Sequence, residues 1–434
     1  MDYRASFQEA VEGAVPSEKR PCIDAKRSVT NTSPPYRVAL VVPALATSGG
    51  VAGVARFLHQ VLEASDRYEP SLISVPLSSD DPASVRLTDP GTWADGVQIK
   101  EGTWEGQPYR HVGARGSELE FQRYRPRLAL TEILDRHDLV QIVAGTPAWA
   151  LLTKNADVPT ALQVATLARV EREFLLADTP GLLGVWRRSM VRITDRIDHH
   201  ALRYADRVFV ENDWMREHLA DYVAPNRLVF APPGVDTSEF APGDVPPAEG
   251  RHLLSVGRLA DPRKNVEGLF EAYAYLRDRM NDPPPLVLAG RTGPSDVAWK
   301  RAGALGIRPH VTFHKDVSLE TLIDLYRAAS CYVVSSDEEG LGLTILEAMA
   351  CGRPVVSTRC GGPSTVIDDG KTGRLVPTGA PRALADAVQE VLTRPDEANE
   401  MGRRSRAHIE QQFSIEASKQ RFLQGYDELL ATAC

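Results

Sequence analysis

Two α/β domains, each built on a parallel sheet and facing one another across a cleft, are what this sequence predicts. Three observations predict them. The strand-length apolar segments run without polar alternation, as strands covered on both faces of a parallel sheet do. Helical segments separate most of them, the alternation of an α/β fold. The scheme then repeats after a stretch dense in Pro and Gly, and 434 residues are about three times the length of a typical domain.

In chain order, residues 1–35 end in "SVTNTSPPYR" and read as an N-terminal arm and linker. The first domain, 36–240, opens with "YRVALVVPAL", a glycine turn "TSGGVAG" and the helical pattern "VARFLHQVLEA". Further strands are "SLISVP", "DLVQIVA", "TALQVAT", "DRVFVE" and "RLVFAPP". The segment 77–118 reads as a lid or wall of a binding site, or as a solvated hairpin. The stretch "APPGVDTSEFAPGDVPPAEG" (231–250) reads as the hinge. In the second domain, 250–412, the strands are "HLLSVG", "PLVLAG", "HVTFH", "CYVVSS" and "RPVVST". Val266, Leu269, Phe270, Tyr273 and Leu276 keep a helical period between the first two. A helix over 413–434 closes the chain.

Composition narrows the function. A formal charge of -8 argues against broad nucleic-acid binding, which needs many phosphate-neutralising cations. Five scattered cysteines, Cys22, Cys331, Cys351, Cys360 and Cys434, form no Cys-x-x-Cys pair and fit reduced thiols. No apolar run approaches the roughly 20 residues of a membrane span, and the N-terminus lacks a secretory pattern. A cytoplasmic protein is the expectation.

Ligands of open parallel sheets bind beyond the carboxyl ends of the strands, so two such sheets facing each other define a site between them. "SSDEEGLGLTILEAMACGRPVVS" (335–357) supplies one wall. Gly340 and Gly342 leave backbone N–H groups open, and the helix beginning near Leu343 or Thr344 adds its positive end, a setting for phosphate. Glu347, one turn beyond Thr344, suits a vicinal diol such as ribose, while Glu339 on the turn faces whatever the phosphate carries. In "SVGRLADPRKN" (255–265), Arg258 and Lys264 follow the first strand and suit a diphosphate leaving group. "SGGVAGVA" (48–55) is only part of a dinucleotide fingerprint, because Ser48 stands at its first glycine place.

Together these residues resemble the retaining GT-B glycosyltransferases of family four. The resemblance runs from Tyr36 to about Leu430 and is most specific in "GRLADPRKNVEGLFEA", in the run from "VTFHKDVS" to "DDGKTGRLV", and in "FSIEASKQRFLQGYDELL". It implies the GT-B fold and transfer of a sugar from a nucleoside diphosphate to an acceptor hydroxyl by front-face displacement. Glu339 and Glu347 match the E-x7-E pair, and Arg258 and Lys264 the pair that holds the diphosphate. Gly340, Leu341, Gly342, Leu343 and Thr344 match the sugar- and phosphate-contacting turn, and Gly49 and Gly50 the loop from the other domain. The base is expected near Lys315, Asp316 and Val317. The implied partners are a nucleotide-sugar donor and a small-molecule, glycan or lipid acceptor. No cofactor and no catalytic metal are expected, since no Asp-x-Asp element is present.

One departure from the family pattern is Ala165, where relatives often have a histidine that contacts the donor sugar, commonly at its 6-hydroxyl. Either the donor lacks that hydroxyl or the contact comes from elsewhere. A helix over 181–207 carries Arg187, Arg188, Arg192 and Arg196 opposite Leu182, Trp186, Met190, Ile193 and Ile197. Such a stripe packs on the first domain or lies peripherally on an anionic membrane. His199 and His200 on it read as structural. A GT-B sugar-nucleotide epimerase and a non-catalytic nucleotide-sugar binding protein remain alternatives; an NAD-dependent dehydrogenase lacks its full glycine fingerprint.

Overall fold

The computed structural model of the protein describes residues 34–43, 45, 49–177 and 181–432. Most of the N-terminal arm thus lies outside the described residues. The first sheet has eight strands in the order β3-β4-β2-β1-β5-β6-β7-β8, and the second six in the order β11-β10-β9-β12-β13-β14. In the first, β1 (Tyr36–Pro43), β2 (Tyr68–Val75), β5 (Leu139–Val143), β6 (Thr160–Val164), β7 (Arg207–Val210) and β8 (Leu228–Phe230) are parallel. Their apolar side chains are buried on both faces: Val41 and Ile142 belong to one core cluster, Val38 and Leu40 to the other. This is what the absence of alternation requires.

The hairpin β3 (Ile99–Trp104) and β4 (Gln107–Val112) extends this sheet, β4 pairing parallel with β2. The segment 77–118 thus contains a hairpin, joined to the sheet edge rather than standing free in solvent. Its two-residue turn puts Glu105 at φ 52° and Gly106 at φ 85°, the doubly left-handed geometry that matches strand twist.

The second sheet, wholly parallel, comprises β9 (His252–Val256), β10 (Leu286–Gly290), β11 (Val311–Lys315), β12 (Ala329–Val334), β13 (Val355–Thr358) and β14 (Gly373–Val376). Strand β14 was not among the expected segments: "GRLV" is too short to carry a pattern by itself. Helices that bear on the site are α1 (Gly50–Glu63), α2 (Ala168–Ala177), α3 (Gly181–Ala201), α4 (Val266–Arg279), α5 (Leu343–Ala350) and α6 (Ile415–Thr432).

The chain crosses between the sheets twice, and the crossings pair. Val235 donates its N–H to Phe413 O at 2.9 Å, and Ile415 donates to Val235 O at 3.1 Å. The approach depends on Gly234, where a Cβ would stand 2.5 Å from Ser414 O and 2.7 Å from Ile415 N. After the second crossing, α6 packs on the first domain: Phe422, Tyr426 and Leu429 join Val38, Leu40 and Phe57 in one core. The Tyr426 hydroxyl donates to Gln141 Oε1 at 2.8 Å.

The apolar stripe of α3 differs from the expected one. Val191, Thr194 and Asp198 are buried, whereas Ile193 is 40% exposed beside the exposed Arg192 and Arg196. Asp198 accepts the N–H groups of Ala148 and Ala168 at 2.8 Å each, so a carboxylate occupies a place that hydrophobic periodicity assigns to an apolar residue. The side chains of Leu182 and Trp186 lie outside the described residues. His199 bonds Asp195 O at 2.7 Å and packs its ring on Tyr222, away from the cleft. No described helix is long and apolar enough to cross a membrane.

Gly234→Val forces the two crossings apart at a rigid backbone contact. Overpacking of this kind costs about 1–3 kcal/mol, so thermal unfolding is expected about 2–10 °C lower than in the parent chain. An unchanged melting temperature would show that the crossings separate freely.

Candidate active site

The carboxyl ends of β9 and β12 deliver two loops that bind each other. Ser335 donates to the carbonyls of Lys264 and Asn265 at 2.9 and 3.0 Å, and Asp337 donates its N–H to Arg263 O at 2.8 Å. Asn265 takes a left-handed conformation (φ 46°), and its side chain accepts the Gly268 N–H at the start of α4. That turn aims Lys264 into the cleft, where Nζ lies 2.6 Å from Glu339 Oε1. Ser336 donates to the same oxygen at 2.7 Å.

Helix α5 starts from Gly342 at φ 85°, with no side-chain cap and no acid in its first turn. Its first N–H groups have no partner within the helix and its positive end is uncompensated by side chains. Glu347 accepts from the Tyr326 hydroxyl at 2.7 Å. Burial pushes its carboxyl up to about 7, against the opposing hydrogen bond.

Across the cleft, Gly49 precedes α1 and faces Arg258, whose guanidinium would stand 3.7 Å from a Cβ there. Gly53 likewise faces Leu343, at 3.1 Å from its Cδ1. Arg258 also approaches Asp261 at 3.3 Å. These groups enclose a cavity of about 490 Å³ between the two sheets. Gly49, Gly50, Arg258, Lys264, Glu339, Gly340, Leu341, Gly342, Leu343, Thr344 and Glu347 all line it. Val317 does not; it follows Asp316 (φ 48°) beyond β11, half-buried and outside that lining. A second depression of about 560 Å³ lies by the β3–β4 hairpin, around His59, Tyr109 and His137, remote from these groups.

Sequence reasoning missed the group that bridges the domains. Arg263 reaches Glu338 at 3.0 Å and Asp261 at 2.8 Å on its own side, and Glu171 of α2 at 3.3 Å on the other. It stands beside Lys264 in "DPRKN", but its partners come from three segments, and no local pattern announces them. Asn212 adds a second bridge, its Nδ2 donating to Gly340 O at 2.6 Å and Ala165 O at 2.9 Å. A third runs from the Asp213 N–H to Thr365 Oγ1 at 2.9 Å. Glu211 and Arg291 are further lining residues not anticipated. Among the described residues, no group of three or more His, Cys, Asp or Glu stands close enough together to hold a metal ion.

Two parallel-sheet α/β domains, a cleft between their carboxyl edges and a last helix returning to the first domain define the GT-B glycosyltransferase fold. Sucrose-phosphate synthase from Thermosynechococcus elongatus shares it, with a TM-score of 0.69 at 22% identity over 92% of this chain and 100% of that one. The family model "Glycosyl transferases group 1" matches residues 238–408. The chain is 30% identical over 388 residues to the D-inositol 3-phosphate glycosyltransferase of Arthrobacter sp. (strain FB24), covering 85% of this chain and 87% of that protein. It is also 30% identical to the enzyme of the same name from Rhodococcus jostii (strain RHA1), over 65% of this chain and 64% of that one, slightly under two thirds of that relative's length. The chain belongs to the group 1 glycosyltransferases.

The raised Glu347 carboxyl has a consequence for stability. An acid whose folded value lies above its unfolded value near 4.3 holds its proton more tightly in the folded chain. Its contribution is therefore fully present below the unfolded value and lost as pH rises through about 7. In the ligand-free protein, Glu347→Gln should gain melting temperature relative to the parent progressively from pH 5 to pH 8. A difference that stays flat across that range would mean the carboxyl is ionised throughout.

Proposed function

We propose that this protein transfers a sugar from a nucleoside diphosphate to an acceptor hydroxyl, with retention at the anomeric carbon. The observation that carries this reading is the convergence of Arg258, Lys264 and the uncapped start of α5 on one cavity, with Glu347 one turn further along the same helix. Two cations and a helix N-terminus suit a diphosphate, and a carboxylate within reach of them suits a ribose diol. Glu339, on the turn between, is the group we assign to the donor sugar, and Gly49 and Gly50 approach the diphosphate from the first domain.

In this reading the bond from the anomeric carbon to the phosphate oxygen breaks as the acceptor oxygen bonds to the same face. The acceptor proton passes to the departing phosphate oxygen. Arg258, Lys264 and the N–H groups of α5 stabilise the charge that develops there, preorganised where water is excluded. The reaction so written needs neither a resident metal nor a cofactor. Lys264 is paired with Glu339; a diphosphate entering between them takes over part of that charge and leaves Glu339 for the sugar.

Both relatives are named for D-inositol 3-phosphate, which makes a small polyol phosphate the first acceptor to try. Exposed Val185 and Ile193 beside Arg188, Arg192 and Arg196 support peripheral contact of α3 with an anionic membrane.

The test is a thermal-shift panel with UDP, GDP, ADP, TDP and their sugar conjugates. A ligand at 100 times its dissociation constant adds about 2.7 kcal/mol of stability, a rise of roughly 5–10 °C for a chain that unfolds by domains. One nucleotide should produce it, and Lys264→Ala and Glu347→Ala should each abolish it. No shift with any nucleotide in a folded sample would remove the donor-site reading. For turnover, proton NMR of the product reads the anomeric configuration, and inversion would overturn the front-face mechanism.

A further inference from the structure

Glu211 stands immediately after β7, on the first-domain wall of the cleft cavity. Only 5% of its surface is exposed. Among the described residues its side chain has one hydrogen bond, from a neutral donor: Gln163 Nε2 donates to Oε1 at 3.2 Å. No ion pair is recorded for it among the described residues. The second oxygen, Oε2, points toward the turn of the opposite domain, 3.7 Å from where a Cβ on Gly340 would stand. The Gln163 Oε1 behind it is buried without a partner.

A carboxyl taken out of water with so little compensation is costly to keep. Little in the packing of the fold calls for it: β6 and β8 beside it end in Val164 and Phe230, and the Gln163 amide that bonds it also reaches Ala231 O at 3.4 Å. The adjacent Asn212 caps its helix through Met215 N–H and ties Gly340 O to this wall, so the distance between Glu211 and the turn is set by a hydrogen bond. Ala165, against the same glycine, is too small to cover the carboxyl. The result is an acid with one oxygen held from behind and the other presented to the cavity, beside the turn that carries Glu339.

We propose that Glu211 determines donor specificity: its free oxygen hydrogen-bonds a hydroxyl of the transferred sugar that reaches the first-domain wall beside Gly340. The proposal rests on the donor-site reading above. A hydroxyl is the partner that satisfies a carboxyl in either protonation state, since it both donates and accepts. A deoxy position leaves Glu211 unpaired in a dry site, and sites of this kind reject the analogue lacking the hydroxyl far more strongly than they reject a change in apolar bulk. The wall beside Ala165 is therefore polar, and the alternative in which the contact comes from elsewhere than residue 165 is the one the geometry favours over a donor lacking the hydroxyl.

Isothermal titration of the full chain tests it, using the nucleoside diphosphate that stabilises the protein, its sugar conjugate, and the conjugates deoxygenated singly around the sugar. The parent should bind one deoxy conjugate about 10- to 100-fold more weakly than the intact one. In Glu211→Ala that gap should shrink to less than about threefold, and Glu211→Gln, which keeps a polar group of the same shape, should retain part of it. The bare nucleoside diphosphate should bind all three proteins alike, which also shows that the variants are folded around the site. Equal discrimination in the parent and in Glu211→Ala, or none at any position, would overturn the assignment. So would a loss of bare nucleotide affinity in both variants, which would make Glu211 part of the cleft framework. If the parent binds no nucleotide, the donor-site reading itself fails, and this assignment with it.

Discussion

The pairing of the two inter-domain crossings is the constraint on which the rest of the molecule depends. Each sheet by itself presents only half a site: loops at the carboxyl ends of parallel strands, rich in unpaired N–H groups and charges. Val235 hydrogen-bonded on either side of Ser414 gives the connection the stiffness of a short two-stranded ribbon rather than of one flexible linker. Helix α6 then anchors the returning chain in the first domain through Phe422 and Tyr426, with ion pairs from Asp427 to Arg67 at 2.6 Å and from Glu428 to Arg207 at 3.0 Å at its rim. The aromatic residues carry most of that anchorage, because the Arg67–Asp427 pair is solvent-exposed and such pairs are worth little.

With the faces held opposite each other, charges that would be unremarkable on a surface become decisive. Arg263 is largely desolvated, and it touches three carboxylates from two domains. Burial alone would push Asp261 up, but hydrogen bonds from Arg263 hold it below its ordinary range, while burial keeps Glu338 above its own despite the same cation. This bridge between the domains is thus an ion cluster only partly balanced, in which Glu171 is the partner from the first domain. Opening the cleft rehydrates Arg263 and Glu171 together, so the penalty for breaking this contact is small beside that of removing either group while the cleft stays shut.

Much of this was legible in the sequence. The strand-length apolar runs without alternation, separated by segments with the 3.6 period of α4, announced two parallel sheets, because strands covered on both faces need no polar side. The turn 339–344, Arg258 and Lys264 could be assigned to the cleft because each follows a strand directly, and topology alone sends strand ends there. What could not be read came from distance in the chain: Glu171 meeting Arg263, Gln163 meeting Glu211, and the return of α6 to the first domain all join residues dozens to hundreds of positions apart. The apolar stripe of α3 misled for a different reason. A buried carboxylate at Asp198 breaks the periodicity on the face that Val191 and Thr194 also turn to the core.

Gly340 shows how sequence, packing and chemistry meet at one residue. A Cβ there would stand 2.9 Å from that of Ala165, across the domain boundary. The contact requires glycine on the turn, because the Cβ that any other residue carries there would collide with that of residue 165. The glycine lets the turn approach the first domain closely enough for Asn212 to bond the Gly340 carbonyl, which places Glu211 against the same turn. At this wall the carboxyl of Glu211, just past β7, faces the turn, rather than the side chain at 165.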